Sequence, residues 1–292
     1  MSSSSDSAQR GAGGRGCLYV VATPIGNLGD ITLRAVETLR GVDRILAEDT
    51  RRARALLGHL GVAGKPVDRF DAHASEADAA RAAARLAEGE SIAFMTDAGT
   101  PVVSDPGTAL VRAAAEAGAR VVAIPGPSAV MAAVSASGLV TGGFRFLGFL
   151  PRGGRERREA LAVATSTPEA VVLFESPRRF NETLAELAER MPGRRAVVAR
   201  ELTKVHEEIL SATVAELAAM EREWLGEITL VLGPAEAAAG ARPDEEALDA
   251  RIDRELAQGR RAKHIAEELS VELGLPRREI YARAVARREP RG

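Results

Sequence analysis

The stretch Leu18–Thr32, LYVVATPIGNLGDIT, decides the fold class of this chain. It begins in an apolar run rich in Val and Tyr, which predicts a buried strand over 17–23. A turn of small residues then leads into helical spacing over 32–39, with Asp30 as the predicted N-cap. A strand that passes through a stiff turn into a helix is the repeating unit of α/β proteins. The stretch therefore predicts a largely parallel sheet covered by helices.

The same alternation continues to Ser137. Strands are predicted over 44–47, 67–70, 91–96 and 120–124, and helices over 52–60, 75–88, 108–117 and 128–137. A second alternating block follows Thr141, with strands over 144–148, 170–175, 196–201, 207–210 and 227–232 and helices over 156–165, 179–191 and 214–221. The sequence thus predicts an N-terminal α/β domain over 17–140 and a C-terminal α/β domain over 141–234.

The two ends of the chain differ from these domains. Residues 1–16 are rich in Ser and Gly and lack the apolar segment of a signal peptide, which predicts a disordered tail. After an Ala/Gly/Pro-rich stretch over 234–243 the pattern is helical only. We therefore expect a linker and a small helical module over 235–292.

Composition excludes several classes of protein. The chain is 46% hydrophobic and 27% charged with a net charge of −2, so it is globular and any nucleic-acid site must be local. The single cysteine excludes an internal disulfide and Cys-rich zinc sites, and it favours the reducing cytoplasm. The four histidines lie far apart, and we expect no metal site. No apolar run is long enough for a transmembrane helix.

Three Gly/Pro loops directly follow predicted strands. They cover 22–30, 96–107 and 124–129. In open α/β sheets, ligands bind beyond the carboxyl ends of the strands, and glycine allows a ligand to approach the backbone closely. Any one of these loops has the sequence of an ordinary tight turn, but three together favour a site. Because these loops contain no Lys or Arg that could bind a phosphate, the site suits a ligand held by backbone groups and apolar walls.

Six motifs in order make the chain similar to a known family. They are LYVVATPIGNLGDIT, AEDTR, TDAGTPVVSDPG, IPGPSA, FESPRR and RELTK. Together they resemble the ribosomal small-subunit RNA methyltransferase I family, a subgroup of the tetrapyrrole-methylase-like methyltransferases, from about Leu18 to Gly233. The resemblance implies two α/β domains with S-adenosylmethionine in the cleft between them, and a homodimer. It also implies methylation of the ribose 2′-hydroxyl of a cytidine at position 1402 of 16S rRNA. The implied partner is the free 16S rRNA or the small ribosomal subunit.

The resemblance further implies which residues surround the methyl donor. They are Pro24, Ile25 and Gly26 in the first loop, Asp97, Gly99, Thr100, Pro101 and Val103 in the second, Ser128 and Ala129 in the third, and Phe174, Ile228 and Thr229 in the second domain. Small-molecule members of the superfamily carry a Gly-x-Gly-Pro-Gly first loop, which is absent here. That departure disfavours a tetrapyrrole-like substrate, the main alternative, while the donor loops disfavour a non-catalytic RNA-binding protein.

Clustered arginines provide candidate contacts to RNA phosphates. The predicted contacts are Arg51, Arg52, Arg152, Arg155, Arg157, Arg158, Arg178, Arg179, Arg260, Arg261 and Lys263. Arg194 and Arg195 form a further pair before a strand. Residues 251–292 carry 11 Lys and Arg against 7 Asp and Glu, so the helical module is basic, and Arg277, Arg278, Arg287 and Arg288 are also expected to be free for phosphate. Two alternatives stay open. The arginines only solvate the protein surface, or the helical module packs on the second domain or on a dimer partner.

Four ionisable residues near the motifs are candidates for catalysis: Asp97, Glu175, Glu201 and Lys204. Methyl transfer from a sulfonium is an in-line displacement, so the enzyme must chiefly align the acceptor oxygen. A weakly acidic ribose hydroxyl benefits from a base or a stabilising cation. Lys204 serves either way, as a base with a lowered pKa or as a cation that stays charged. Alternatively, Glu201 and Lys204 form an ion pair that only shapes the cleft.

Overall fold

The computed structural model describes residues 16–101, 107–235, 245–273 and 275–288. The predicted tail over 1–15 and most of the predicted linker lie outside the described residues. The chain forms two compact units, one that ends at Pro234 and one that begins at Ala235. The first unit holds two five-stranded sheets. No helix in the described part of the chain has the length and apolarity needed to cross a membrane.

The first sheet has the predicted parallel arrangement, in the order β3-β2-β4-β1-β5. Its strands are β1 (Cys17–Val21), β2 (Arg44–Ala47), β3 (Val67–Arg69), β4 (Ile92–Met95) and β5 (Arg120–Ile124). Its helices are α1 (Leu33–Gly41), α2 (Thr50–His59), α3 (Glu76–Ala87), α4 (Thr108–Glu116) and α5 (Ala129–Ser137). Along β4, Ile92 and Phe94 pack with α3 and α4, whereas Ala93 and Met95 pack with α1 and α2. Both faces of the sheet are therefore covered.

Short polar side chains set the starts of these helices. The predicted cap Asp30 is wrong, because it lies in a 3₁₀ turn and Thr32 caps α1 instead, its hydroxyl accepting from the Ala35 N–H at 3.1 Å. Asp49 caps α2, and its carboxylate accepts from the Arg51 N–H at 2.8 Å. Ser128 caps α5. These caps satisfy N–H groups that the first helical turn leaves without partners.

The second sheet has the order β6-β7-β10-β8-β9. Its strands are β6 (Phe144–Phe149), β7 (Ala170–Glu175), β8 (Arg195–Arg200), β9 (Glu208–Thr213) and β10 (Ile228–Leu232), accompanied by α6 (Gly154–Ser166), α7 (Pro177–Arg190) and α8 (Val214–Ala218). Strands β6 and β7 pair in parallel, whereas the β7–β10, β10–β8 and β8–β9 pairs are antiparallel. The β–α alternation would give parallel pairing, but β8 and β9 are joined without a helix and so run antiparallel.

Helix α5 joins the two sheets. Its Val130 and Ala133 pack in one buried cluster with Val172 of β7, Val197 of β8 and Val231 of β10. The loop that precedes α5 is therefore held between the sheets. This packing brings the carboxyl edge of the first sheet next to strands of the second.

The described part of the second unit consists of α9 (Glu245–Ala257), α10 (Ala262–Leu273) and α11 (Arg277–Arg288). These helices enclose a small core of their own that includes Leu248, Ile252, Ile265, Leu269 and Ile280. Apolar side chains of α10 and α11, such as Ile265 and Ile280, therefore face each other and α9.

Candidate active site

The three Gly/Pro loops form one rigid rim. Strand β1 lies between β4 and β5, so the loops that follow these strands are neighbours. The Thr23 N–H donates to the Gly99 carbonyl at 2.9 Å, and the Gly99 N–H donates to the Thr23 carbonyl at 3.0 Å. The Thr100 hydroxyl donates to the Pro127 carbonyl at 3.0 Å, which joins the second loop to the third. Interlocked loops of this kind pre-organise a binding site.

Two positions of the rim require glycine, Gly99 for its backbone conformation and Gly26 for a close approach. Gly99 has φ +82°, and a Cβ there would lie 3.4 Å from Cγ2 of Ile25. A Cβ at Gly26 would lie 2.4 Å from Cγ of Lys204 and 2.9 Å from Oγ1 of Thr203. Gly26 therefore packs against a loop of the second sheet, residues 201–207, rather than only making room for a ligand.

A cavity of about 470 Å³ opens between the rim and the second sheet. Nine of the thirteen predicted donor residues line it: Ile25, Asp97, Gly99, Thr100, Ser128, Ala129, Phe174, Ile228 and Thr229. Of the others that the structure describes, Pro24, Gly26 and Pro101 are not in its wall, and Val103 lies outside the described residues. Thr229 and Phe174 are paired across β10 and β7, which explains how distant parts of the sequence meet in one wall.

Other wall residues are not in the predicted donor set. Phe149, at the end of β6, is 60% exposed, and its ring lies 5.3 Å from that of Phe174. Glu48 directly follows β2 within the AEDTR motif, so its position after a strand was a sign that could have identified it. Phe149 likewise follows a predicted strand, over 144–148, and the pairing of β6 with β7 brings it to the cavity.

Glu175 lines the cavity, but its carboxylate is already occupied. It is buried and accepts from the Ser176 N–H at 2.7 Å and the Thr183 hydroxyl at 2.9 Å. Arg179 lies 2.5 Å from one carboxylate oxygen, and Arg157 lies 3.6 Å from the other. The protein's own hydrogen-bond donors therefore occupy both oxygens of Glu175 and leave them unavailable to the substrate hydroxyl that a general base must contact.

The prediction that Arg157 contacts RNA is wrong. Its side chain is only 6% exposed and donates to Glu186, at 2.5 and 2.9 Å, and to the Thr183 hydroxyl at 2.9 Å. Burial opposes its charge, but the hydrogen bonds to Glu186 outweigh burial and raise its pKa. Arg194 is buried as well and donates to the Gly233 and Ala164 carbonyls. Both arginines hold the second sheet together.

Most other predicted RNA-contact residues of the first unit remain accessible. Exposed side chains are those of Arg51, Arg52, Arg152, Arg155, Arg158 and Arg178. Arg179 is half-buried and donates to the Leu150 and Pro151 carbonyls, so it holds the β6–α6 connection. Arg52 lines the cavity and lies 3.3 Å from Asp97.

The expectation of free arginines in the helical module is partly wrong. Arg260 pairs with Glu255 and Glu268, Arg277 pairs with Glu267, and Arg287 pairs with Asp249 and Asp253. These pairs hold helix to helix and reduce the positive charge that the module offers. Arg261, Lys263 and Arg278 are exposed. The side chain of Arg288 lies outside the described residues.

Lys204 and Glu201 form an ion pair on the loop between β8 and β9. The Lys204 ammonium donates to Glu201 at 2.8 Å and to Glu227 at 3.0 Å. Burial disfavours the charged ammonium, but these two carboxylates outweigh it and raise the pKa of Lys204. The hydrogen bond from Lys204 likewise lowers the pKa of Glu201. Both groups are charged at neutral pH, so Lys204 is a cation and not a base.

This loop carries backbone strain next to the cavity. Glu201 has φ +52° and Thr203 has φ +68°, which non-glycine residues rarely adopt. The buried Thr203 hydroxyl has no hydrogen-bond partner among the described residues. Neither Lys204 nor Glu201 is among the described residues that line the cavity, but Glu227, which binds Lys204, is. Lys204 therefore contacts the cavity wall through Glu227.

Asp97 anchors the second loop to α2. Its carboxylate accepts from the Asp49 N–H at 3.0 Å and lies 3.3 Å from the Arg52 guanidinium. Within the described residues, no three His, Cys, Asp or Glu side chains are grouped to hold a metal ion. The cavity walls thus offer backbone groups, aliphatic and aromatic side chains and a few carboxylates.

Comparison with known proteins supports a methyltransferase fold. The family of Tetrapyrrole (Corrin/Porphyrin) Methylases matches residues 17–218. Ribosomal RNA small subunit methyltransferase I of Halalkalibacterium halodurans is 40% identical over 275 residues, 91% of this chain and 94% of that protein. The protein of the same name from Mesorhizobium japonicum is 43% identical over 279 residues, 94% of this chain and 93% of that protein.

A solved structure shares the fold at lower sequence identity. Uroporphyrin-III C-methyl transferase from Thermus thermophilus, complexed with S-adenyl homocysteine, superimposes with a TM-score of 0.52 at 20% identity. The match covers 75% of this chain and 97% of that one. At this identity the likeness concerns the arrangement of the two sheets.

Proposed function

Because the chain belongs to the ribosomal RNA small subunit methyltransferase I family, we propose that it methylates the ribose 2′-oxygen of a cytidine in 16S rRNA with S-adenosylmethionine as donor. One observation carries the proposal. The three loops and two strands of the second sheet place nine of the expected donor residues around one cavity. Its volume of about 470 Å³ lies within the usual range of small-molecule sites.

The cavity suits the donor chemically. S-adenosylmethionine supplies an electrophilic methyl group on a sulfonium cation. Ile25, Ala129 and Phe174 offer apolar contacts, while the interlocked loops supply backbone groups at fixed positions. The carboxylates of Asp97 and Glu48 provide negative charge in the wall, which favours a cation. A rigid cavity of this kind aligns donor and acceptor at low entropic cost.

The direct test follows the methyl group. The purified chain is incubated with S-adenosylmethionine labelled in the methyl group, and with free 16S rRNA or assembled 30S particles. Label on a ribose 2′-oxygen of a cytidine, mapped by resistance to alkaline hydrolysis, is the expected result. Label on a base, or on a tetrapyrrole only, contradicts the proposal.

A pH profile tests the role of Lys204. Its raised pKa means that the ammonium stays protonated through the neutral range and past the ordinary lysine value of about 10.4. We therefore expect no change in kcat from Lys204 deprotonation between pH 7 and 9.5. Lys204→Met should lower kcat about tenfold at every pH, because Glu201 and Glu227 lose their shared cation. An increase of kcat with pH near 7–8 that Lys204→Met abolishes would instead show that Lys204 acts as a base.

Salt dependence tests RNA binding by the helical module. Arg261, Lys263 and Arg278 are exposed there, and each phosphate contact contributes about 0.9 to the slope of log K against log salt on duplexes and about 0.7 on single strands. The triple alanine variant should therefore reduce the slope for 16S rRNA by about 2. Arg81→Ala with Arg85→Ala on α3 is the control and should leave it unchanged. If the module variant shows the same slope as the unmodified chain, the module does not bind RNA phosphates and has only a structural role.

The oligomeric state and location follow from the proposed function. We infer a homodimer, which the family resemblance implies, acting in the cytoplasm, where ribosomal subunits are assembled. Light scattering of the purified chain measures its mass directly. A mass of one chain, 30.8 kDa, under conditions that support methyl transfer would contradict the dimer.

A further inference from the structure

A second cavity, of about 500 Å³, lies beside the first one, which we call the donor cavity because it is the proposed site of S-adenosylmethionine. We call it the polar cavity, because its lining is charged or polar except at Ala72: Glu48, Asp49, Thr50, Arg51, Arg69, Asp71, His73 and Asp97. These residues end or follow β2, β3 and β4, at the carboxyl edge where ligands of parallel sheets bind. The AEDTR motif contributes four of them, and only its arginine belongs to the predicted site.

The two cavities share a wall. Glu48 and Asp97 line both of them. The two cavities therefore adjoin at these two carboxylates. A methyl acceptor must meet the donor within about 3 Å, and a site that adjoins the donor cavity satisfies this requirement.

The polar cavity has cations suited to a phosphate. The Arg51 side chain is 89% exposed and the Arg69 side chain is 70% exposed, so their donors face solvent. Each is paired with a neighbouring carboxylate, Asp49 or Asp71. Hydrogen bonds from Arg51 hold the pKa of Asp49 at about 2, so this carboxylate stays charged and orients the guanidinium. A guanidinium has five N–H donors, and one carboxylate leaves several of them available.

Glu48 differs from the other carboxylates near the donor cavity. Glu175, Glu201 and Asp97 each accept hydrogen bonds from the protein. Glu48 has no hydrogen-bond or ion-pair partner within the described residues, although it is half-buried in the wall between the cavities. Its oxygens are therefore available to a hydroxyl group at the boundary of the two cavities.

We propose that the polar cavity binds the acceptor nucleotide, with Arg51 and Arg69 on its phosphate and Glu48 on its 2′-hydroxyl. The proposal rests on the proposed function. The 2′-oxygen forms a bond to the methyl carbon, the sulfur–carbon bond breaks, and its electron pair stays on sulfur. The hydroxyl proton passes to the Glu48 carboxylate and from there to water, so Glu48 is the general base.

Binding of a nucleotide tests the polar cavity without any methyl transfer. Cytidine 5′-monophosphate is titrated into the full chain in the presence of S-adenosylhomocysteine, and ligand-observed NMR measures its Kd. The double variant Arg51→Ala, Arg69→Ala should weaken binding at least tenfold, because charge-assisted phosphate contacts are lost. The matched control, Arg81→Ala with Arg85→Ala, should leave it unchanged. No binding to the unmodified chain, or equal binding to both variants, overturns the proposed nucleotide site.

Kinetics of Glu48→Gln test the base. This substitution keeps the size of the side chain and removes its ability to take a proton. We expect kcat on 16S rRNA to fall about 100-fold, with KM for the RNA within about threefold of the unmodified chain. A normal kcat overturns the role of Glu48, and so does a defect confined to KM. If the unmodified chain methylates no rRNA, the proposed function and the base both fail, whereas the titration still decides whether the cavity binds a nucleotide.

Discussion

Gly99→Val should weaken S-adenosylmethionine binding at least 100-fold, about 2.7 kcal/mol or more, while the protein stays folded. Gly99 lines the donor cavity and has φ +82°, where a β-branched residue is strained. A Cβ there already lies 3.4 Å from Cγ2 of Ile25, so the added methyl groups must displace the first loop or enter the cavity. Calorimetry with S-adenosylmethionine measures the effect.

Two further variants make this result interpretable. Ala129→Leu adds bulk to the same cavity at the start of α5, without backbone strain, and should weaken donor binding by a similar factor. Gly58→Ala is the control, because nothing lies within 4 Å of a Cβ at that position of α2. Circular dichroism verifies the fold of each. Normal donor binding by folded Gly99→Val and Ala129→Leu would show that the donor binds elsewhere.

Arg157→Met should destabilise the protein by about 3–5 kcal/mol, the largest stability effect we expect. The guanidinium is 6% exposed and lies between Glu186 and the fully buried carboxylate of Glu175. Methionine fills similar volume but leaves Glu175 with Arg179 as its only remaining cation among the described residues. A buried charge without its partner is costly because the interior solvates it poorly.

The control for this prediction lies two residues away. Arg155→Met changes a side chain that is 85% exposed and paired with Glu159 at the surface, so its expected cost is below about 1 kcal/mol. Urea unfolding measures both free energies. A cost of less than about 1 kcal/mol for Arg157→Met would mean that the buried network contributes little to the second sheet.

Local patterns in the sequence predict the elements and the donor loops. Strands such as Ala170–Glu175 and helices such as Arg277–Arg288 follow from apolar runs and helical periodicity, which depend on neighbouring residues only. The three loops could be placed together because parallel strands end at the same edge of a sheet. Six of the predicted donor residues, all in these three loops, line one cavity for that reason.

Contacts between distant residues are not encoded in such patterns. The antiparallel pairing of β10 with β7 and β8 depends on how the second sheet closes, and it brings Thr229 beside Phe174. Arg155 and Arg157 belong to the same cluster of arginines in the sequence. Because they are two positions apart on a helix, their side chains point about 200° apart around its axis. One therefore reaches solvent, and the other reaches Glu186 of α7.

What the sequence determined by itself is the class of fold, the rim of Gly/Pro loops and the family. Only the tertiary structure decided which ionisable side chains are charged and which are accessible to a ligand. Lys204 is a cation because Glu201 and Glu227 fold around it, and Glu175 is unavailable because two arginines and Thr183 reach it. Glu48 remains open because no donor of the described chain reaches it. Protonation and access depend on neighbours in space, and the order of residues along the chain does not specify them.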